Sequence, residues 1–229
     1  MSKNTKKIDT KTLVGLATFT ALAFVLTVAT SWIKVDFLSF DAKDAVITIA
    51  AFIYGPTAAV IISFLAALIE FITISISTTG WYGLVMNIAS SLTFSLVASL
   101  IYKKKRDING ALIGFISAVI ATTGVMLVLN IFVTPYYLVR FGMPLEVARG
   151  EVMRMLMITL MPFNLAKALM NSALAMLLYK PTLMAMKRAR LLKRDDTKST
   201  FNRNSVIILI AGGVAILISV AIFIIIAPK

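Results

Sequence analysis

Asn164, Lys167 and Asn171 lie in the stretch MPFNLAKALMNS (161–172), inside a long apolar run. On an α-helix, at about 100° per residue, the three fall within an arc of roughly 60° and share one face. A cation in an otherwise apolar membrane helix is costly and usually meets a cavity or a partner. Lys167 sits well ahead of Tyr179, near the middle of its run, so snorkelling to an interface would be strained. Two readings stay open from the residues alone. Lys167 contacts a ligand, or it forms a structural ion pair with Glu70, the carboxylate that interrupts another apolar span. The asparagines can donate and accept along a ligand edge, or they can tie helices together.

Catalysis has little to draw on. The 229 residues contain no histidine and no cysteine, which removes the commonest metal ligand, the commonest base near neutral pH and all thiol chemistry. No phosphate-binding G-x-x-x-x-G-K-[ST] loop is present, so ATP hydrolysis by that route is excluded. An intramembrane Ser–Lys hydrolase with Lys167 as base remains an alternative, although no serine stands in a recognisable nucleophile setting. The chain is expected not to be an enzyme, and no cofactor is expected.

The elements that must position these groups are membrane helices. Hydrophobic residues make up 59% of the chain and charged residues 14%, far from the soluble norm, and several stretches approach the roughly 20 apolar residues that cross a bilayer. The fold class is therefore an all-α polytopic membrane protein. A basic N-terminus (1–11) precedes a first span at 12–33. Further spans are expected at 44–54 (short for a crossing), 57–76, 81–102, 110–138 and 152–179, with a polar connection at 140–154. Residues 12–186 form the membrane domain, 187–204 a basic linker and 205–227 an additional C-terminal transmembrane helix.

The net charge of +13 sits in segments flanking the spans, chiefly before the first helix, at Lys103–Arg106 and between Lys180 and Arg203. That is how topology determinants are placed, and no nucleic-acid partner is expected. The bias puts the N-terminus in the cytoplasm, and seven spans then put the C-terminus outside. Trp81, Tyr82, Tyr136 and Tyr137 are expected as interfacial anchors, and the methionines as soft packing. Ala17 and Ala21 form a small-xxx-small pair that lets another helix approach closely.

Three segments carry a family resemblance: FLSFDAKD (37–44) after the first helix, the Tyr54-Gly55-Pro56 turn, and PFNLAK (162–167). With them the chain resembles the substrate-binding S components of energy-coupling factor (ECF) vitamin importers, and among these the riboflavin-specific family. The resemblance spans about residues 10 to 190. It implies a six-helix bundle in a bacterial cell membrane, here followed by the extra C-terminal helix, with a loop after helix one covering a site near the outer face. It further implies ligand contacts from Phe37, Leu38, Phe40, Asp41, Asn130, Asn164 and Lys167. Ala17 and Ala21 would contact a transmembrane T subunit, and two ATPase subunits would supply energy. The ligand would be riboflavin, with another vitamin or a modified base as the alternative. A flavin suits such a site, because its apolar ring carries an imide edge and a polyhydroxyl tail.

Overall fold

The structure is a computed structural model describing residues 9–192 and 203–226. Residues 1–8 of the expected basic N-terminus, 193–202 of the linker and residue 227 lie outside the described residues.

Helix α1 (Thr10–Thr30) is apolar. Within it Thr20, Thr27 and Thr30 donate to the carbonyls of Leu16, Ala23 and Leu26 at 2.9, 3.0 and 2.7 Å, the local bond that satisfies a hydroxyl inside a helix. The helix stops at Thr30 rather than Ile33. A two-stranded hairpin that sequence analysis did not anticipate follows, with β1 (Lys34–Val35) antiparallel to β2 (Leu38–Ser39). Asp36 takes the left-handed conformation (φ 52°) that such tight turns require.

Helix α2 (Lys43–Tyr54) has 12 residues, about 18 Å at 1.5 Å per residue, and so does not by itself cross a hydrocarbon core of about 30 Å. Gly55 at φ 98° ends it, and Pro56 opens α3 (Pro56–Glu70). Glycine adopts that backbone freely, and proline at a helix start loses no hydrogen bond. After α3 comes a π-helical stretch, Phe71–Ser75, and then α4 (Gly80–Lys104) and α5 (Ile108–Val139). These two helices pack through small residues. A Cβ on Gly114 would meet the Ala98 carbonyl oxygen at 2.9 Å, the close backbone approach that membrane helix pairs favour.

The expected polar connection at 140–154 is in large part helical. Helix α6 (Leu145–Met155) buries Ala148 and Val152 and carries the surface pairs Arg149–Glu146 and Arg154–Glu151. Spaced i to i+3, these pairs suit a helix, which is why a charged stretch read as a loop folds as one. A π-helical stretch, Leu156–Leu160, joins it to α7 (Met161–Arg188). There the Met161 N–H reaches back to the Leu156 carbonyl. The widened turn falls immediately before Pro162, which has no N–H to continue the ordinary ladder.

Helix α8 (Arg203–Ile226) packs against α7. Gly212 lies beside Leu177, and the Ser219 hydroxyl donates to the Ala166 carbonyl at 2.7 Å. As numbers rise along α8 they fall along α7, so the pair is antiparallel. Among the described residues six helical segments are long and apolar enough to cross a membrane. The architecture is a six-helix bundle (α1, α2, α3, α4, α5 and α7) with α8 added. Its main core runs from Phe19 and Ala23 through Ile47 and Ile62 to Phe94, Phe115 and Ala168.

Candidate functional site

A cavity of about 340 Å³ opens where α1, α3 and α5 end and α4 and α7 begin. The cations Lys103, Lys104 and Arg188 are at the far ends of α4 and α7. Phe37, Leu38, Asp41, Asn130, Asn164 and Lys167 all line the cavity. Phe40 is not among the lining residues. It is buried and turned against Phe223 of α8, ring centroids 5.8 Å apart. Ala17 and Ala21 lie on the exposed side of α1, away from the cavity.

Asn130 and Asn164 are each held by the turn of helix preceding them. Asn130 donates to the Met126 carbonyl, Asn164 to the Leu160 carbonyl, each at 2.7 Å. The Asn130 side-chain oxygen accepts from Thr134 at 2.8 Å, whereas that of Asn164 accepts no hydrogen bond among the described residues. Asn171, on the same helix face, does different work. Its amide accepts from the Ala45 N–H at 2.9 Å and donates to the Asp41 carbonyl at 3.0 Å, pinning the end of the loop and the start of α2 to α7.

The partner of Lys167 is Asp41, at 2.7 Å, and not Glu70 as the structural-pair reading had it. Glu70 instead accepts from Lys43 at 2.7 Å and from Asn87 at 2.6 Å. Lys43 also lies 3.5 Å from Asp41. The result is one buried chain of charge, Lys167–Asp41–Lys43–Glu70, in which each ammonium has a carboxylate neighbour. Asp41 is not legible as the partner from sequence, because the pairing depends on how the loop folds back over α7. Burial would raise the Asp41 carboxyl, but the ammonium groups of Lys167 and Lys43 outweigh it and hold the acid below its usual range. The other Asp41 oxygen, Oδ1, is buried without a hydrogen-bond partner among the described residues, an uncommon state for a buried acceptor.

Glu70 and Asn87 also line the cavity. The first was left unplaced by sequence reasoning and the second was missed. The usable signal was present in both, since each is a polar group within an apolar span and so needs a partner. Two of the four expected interfacial rings are cavity residues as well. Tyr82 and Tyr137 line it and approach each other at 6.3 Å, and Phe37 approaches Tyr137 at 5.7 Å. Trp81 and Tyr136 are exposed.

Helices long and apolar enough to cross a membrane surround this cavity, whose walls are both polar and apolar, as in a multi-pass membrane protein. The chain belongs to the family of ECF transporter substrate-specific components, whose profile matches residues 11–179. It is 30% identical over 182 residues to the riboflavin transporter RibU of Staphylococcus aureus (strain TCH60), a match covering 78% of this chain and 93% of that protein. It also superposes with a TM-score of 0.60 on a solved structure described as the S component of a bacterial ECF transporter. That match has 29% identity and covers 78% of this chain and 98% of the other. The family is one of transporter substrate-binding components rather than enzymes.

Proposed function

We propose that the cavity binds riboflavin, and that the chain captures the vitamin outside the cell for ATP-driven import. The observation that carries this reading is the convergence of Asn130, Asn164 and Lys167 with the Phe37–Asp41 loop on one cavity, in a chain similar to a riboflavin transporter. The volume of about 340 Å³ falls within the range of roughly 300–1,000 Å³ usual for small-molecule sites. Aromatic and aliphatic walls suit a flavin ring. Asn164 offers an acceptor to an imide N–H or hydroxyls, and Lys167 offers a donor to a carbonyl.

The chain carries no phosphate loop, so energy is expected from two ATPase subunits coupled through a transmembrane T subunit. Ala17 and Ala21, small and exposed on α1, are our candidates for that contact. Orientation follows from charge. With Lys103–Arg106 in the cytoplasm, the cavity opens outside, the N-terminus is cytoplasmic and the C-terminus is outside.

Flavin that co-purifies with the isolated protein and is quenched in fluorescence is the expected result. Absence of binding at micromolar riboflavin or its phosphate would sink the assignment. A competition panel of other vitamins and modified bases tests the rival cargo, since only the true ligand raises the melting temperature by mass action. The Ser–Lys hydrolase reading has no support in the geometry. Lys167 donates to Asp41, and among the described residues no serine hydroxyl is bonded to it, as nucleophile activation requires.

A further inference from the structure

Helix α8 lies outside the region matched by the family, residues 11–179. A helix serving only as an anchor needs apolar length and nothing else. This one has more. Gly212, Ser219 and Phe223 are spaced by seven and four residues and so share one face, and that face meets α7 at three levels. Gly212 sits against Leu177, Ser219 donates to the Ala166 carbonyl, and Phe223 stands edge-on to Phe163 at 5.7 Å. Ser219 is fully buried, whereas Leu209, Ile210, Leu217, Ile224 and Ile225 are exposed, as for lipid contact.

Phe223 makes one more contact, edge-on to Phe40 at 5.8 Å. Phe40 is flanked in the chain by Ser39 and Asp41, both cavity-lining, and Phe163 lines the cavity beside Asn164. Among the described residues none of α8 lines the cavity. The Phe223 ring thus touches two walls of the cavity from behind: the covering loop and the first turn of α7. Ser219 is bonded to a carbonyl lying between Asn164 and Lys167 in the chain.

We propose that α8 is a positioning helix for ligand capture, in which Phe223 and Ser219 hold the Phe37–Asp41 loop in register with the Asn164–Lys167 turn and so set how long a ligand stays bound. This rests on the riboflavin reading for its ligand, but the coupling of α8 to the loop can be tested without one.

The test uses the full-length chain in detergent or nanodiscs, comparing wild type with Phe223→Ala, Ser219→Ala and the ring-retaining Phe223→Tyr. Because the chain has no cysteine, Ser39→Cys supplies a single spin-label site for a ligand-free arm. In Phe223→Ala the label is expected to become more mobile, while the helical content and the melting temperature of the apo protein are retained. Riboflavin is expected to leave about tenfold faster, the scale for losing two edge-to-face ring contacts. Ser219→Ala should act in the same direction, and Phe223→Tyr should restore both readouts. Unchanged label mobility, or an unchanged dissociation rate in a wild type that binds riboflavin, overturns the proposal and leaves α8 an anchor. If the wild type binds no riboflavin, the cargo assignment falls, and the label mobility alone decides the role of α8.

Discussion

Lys167 of α7 and Asp41 of the loop after α1 are separated by 126 residues and meet at 2.7 Å, both buried. The pair closes the covering loop onto the helix that carries Asn164. It is therefore both a wall of the cavity and a joint of the fold.

Breaking the joint on one side leaves the other charge behind. Lys167→Met should cost about 3–5 kcal/mol of stability, the range for removing one partner of a buried pair. It should also weaken riboflavin binding by about 1–3 kcal/mol, as for a lost hydrogen bond to a charged donor. Adding Asp41→Asn to Lys167→Met should recover much of the stability but not the affinity. Thermal unfolding and fluorescence titration of Lys167→Met, Asp41→Asn and the double variant form the cycle. Purely additive losses would show that the two residues act independently.

The Glu70 end of the charge chain is expected to be structural for Lys43, which is 1% exposed. Glu70→Gln keeps a hydrogen-bond acceptor for Lys43 and should cost about 1.5–3 kcal/mol, whereas Glu70→Ala should cost about 3–5 kcal/mol. The measurement is the melting temperature of the apo protein. Equal, small shifts would mean that water or another residue takes over the Lys43 ammonium.

Ala17→Leu and Ala21→Leu enlarge an exposed face of α1 without touching the cavity. Riboflavin affinity and melting temperature should stay unchanged, because the added side chains meet lipid. Uptake by cells that contain the partner subunits should be lost if this face meets the T subunit. Normal uptake would move the contact elsewhere on the bundle.

Gly114 tests the close packing of α4 against α5. Its missing Cβ lies 2.9 Å from the Ala98 carbonyl oxygen, a backbone atom that cannot rotate aside. Gly114→Leu should cost about 1–3 kcal/mol through overpacking, read as a lower melting temperature. No change would mean that α4 and α5 slide apart freely.

Much of this protein was legible in the order of its residues. Long apolar runs separated by basic clusters dictate membrane helices, because backbone groups in lipid have to be satisfied within the segment. Lys167 and Asn164 declared themselves as site candidates because charge and amide groups in apolar helices demand partners. The PFNLAK and FLSFDAKD segments carried the family. What order along the chain could not supply was pairing. Sequence alone names Glu70 as a structural partner for Lys167, but the hairpin at Lys34–Ser39 folds back and brings Asp41 to it, leaving Glu70 to Lys43 and Asn87. Tyr82 and Tyr137 read as interfacial rings, yet they face inward, because helix rotation is set by neighbours rather than by ring chemistry. Phe40 belongs to the motif loop but turns to Phe223 of α8, a partner 183 positions further along the chain. Local composition decides that a segment enters the membrane. Which buried charge finds which partner is decided by contacts between residues distant in the chain, and only the tertiary structure holds those.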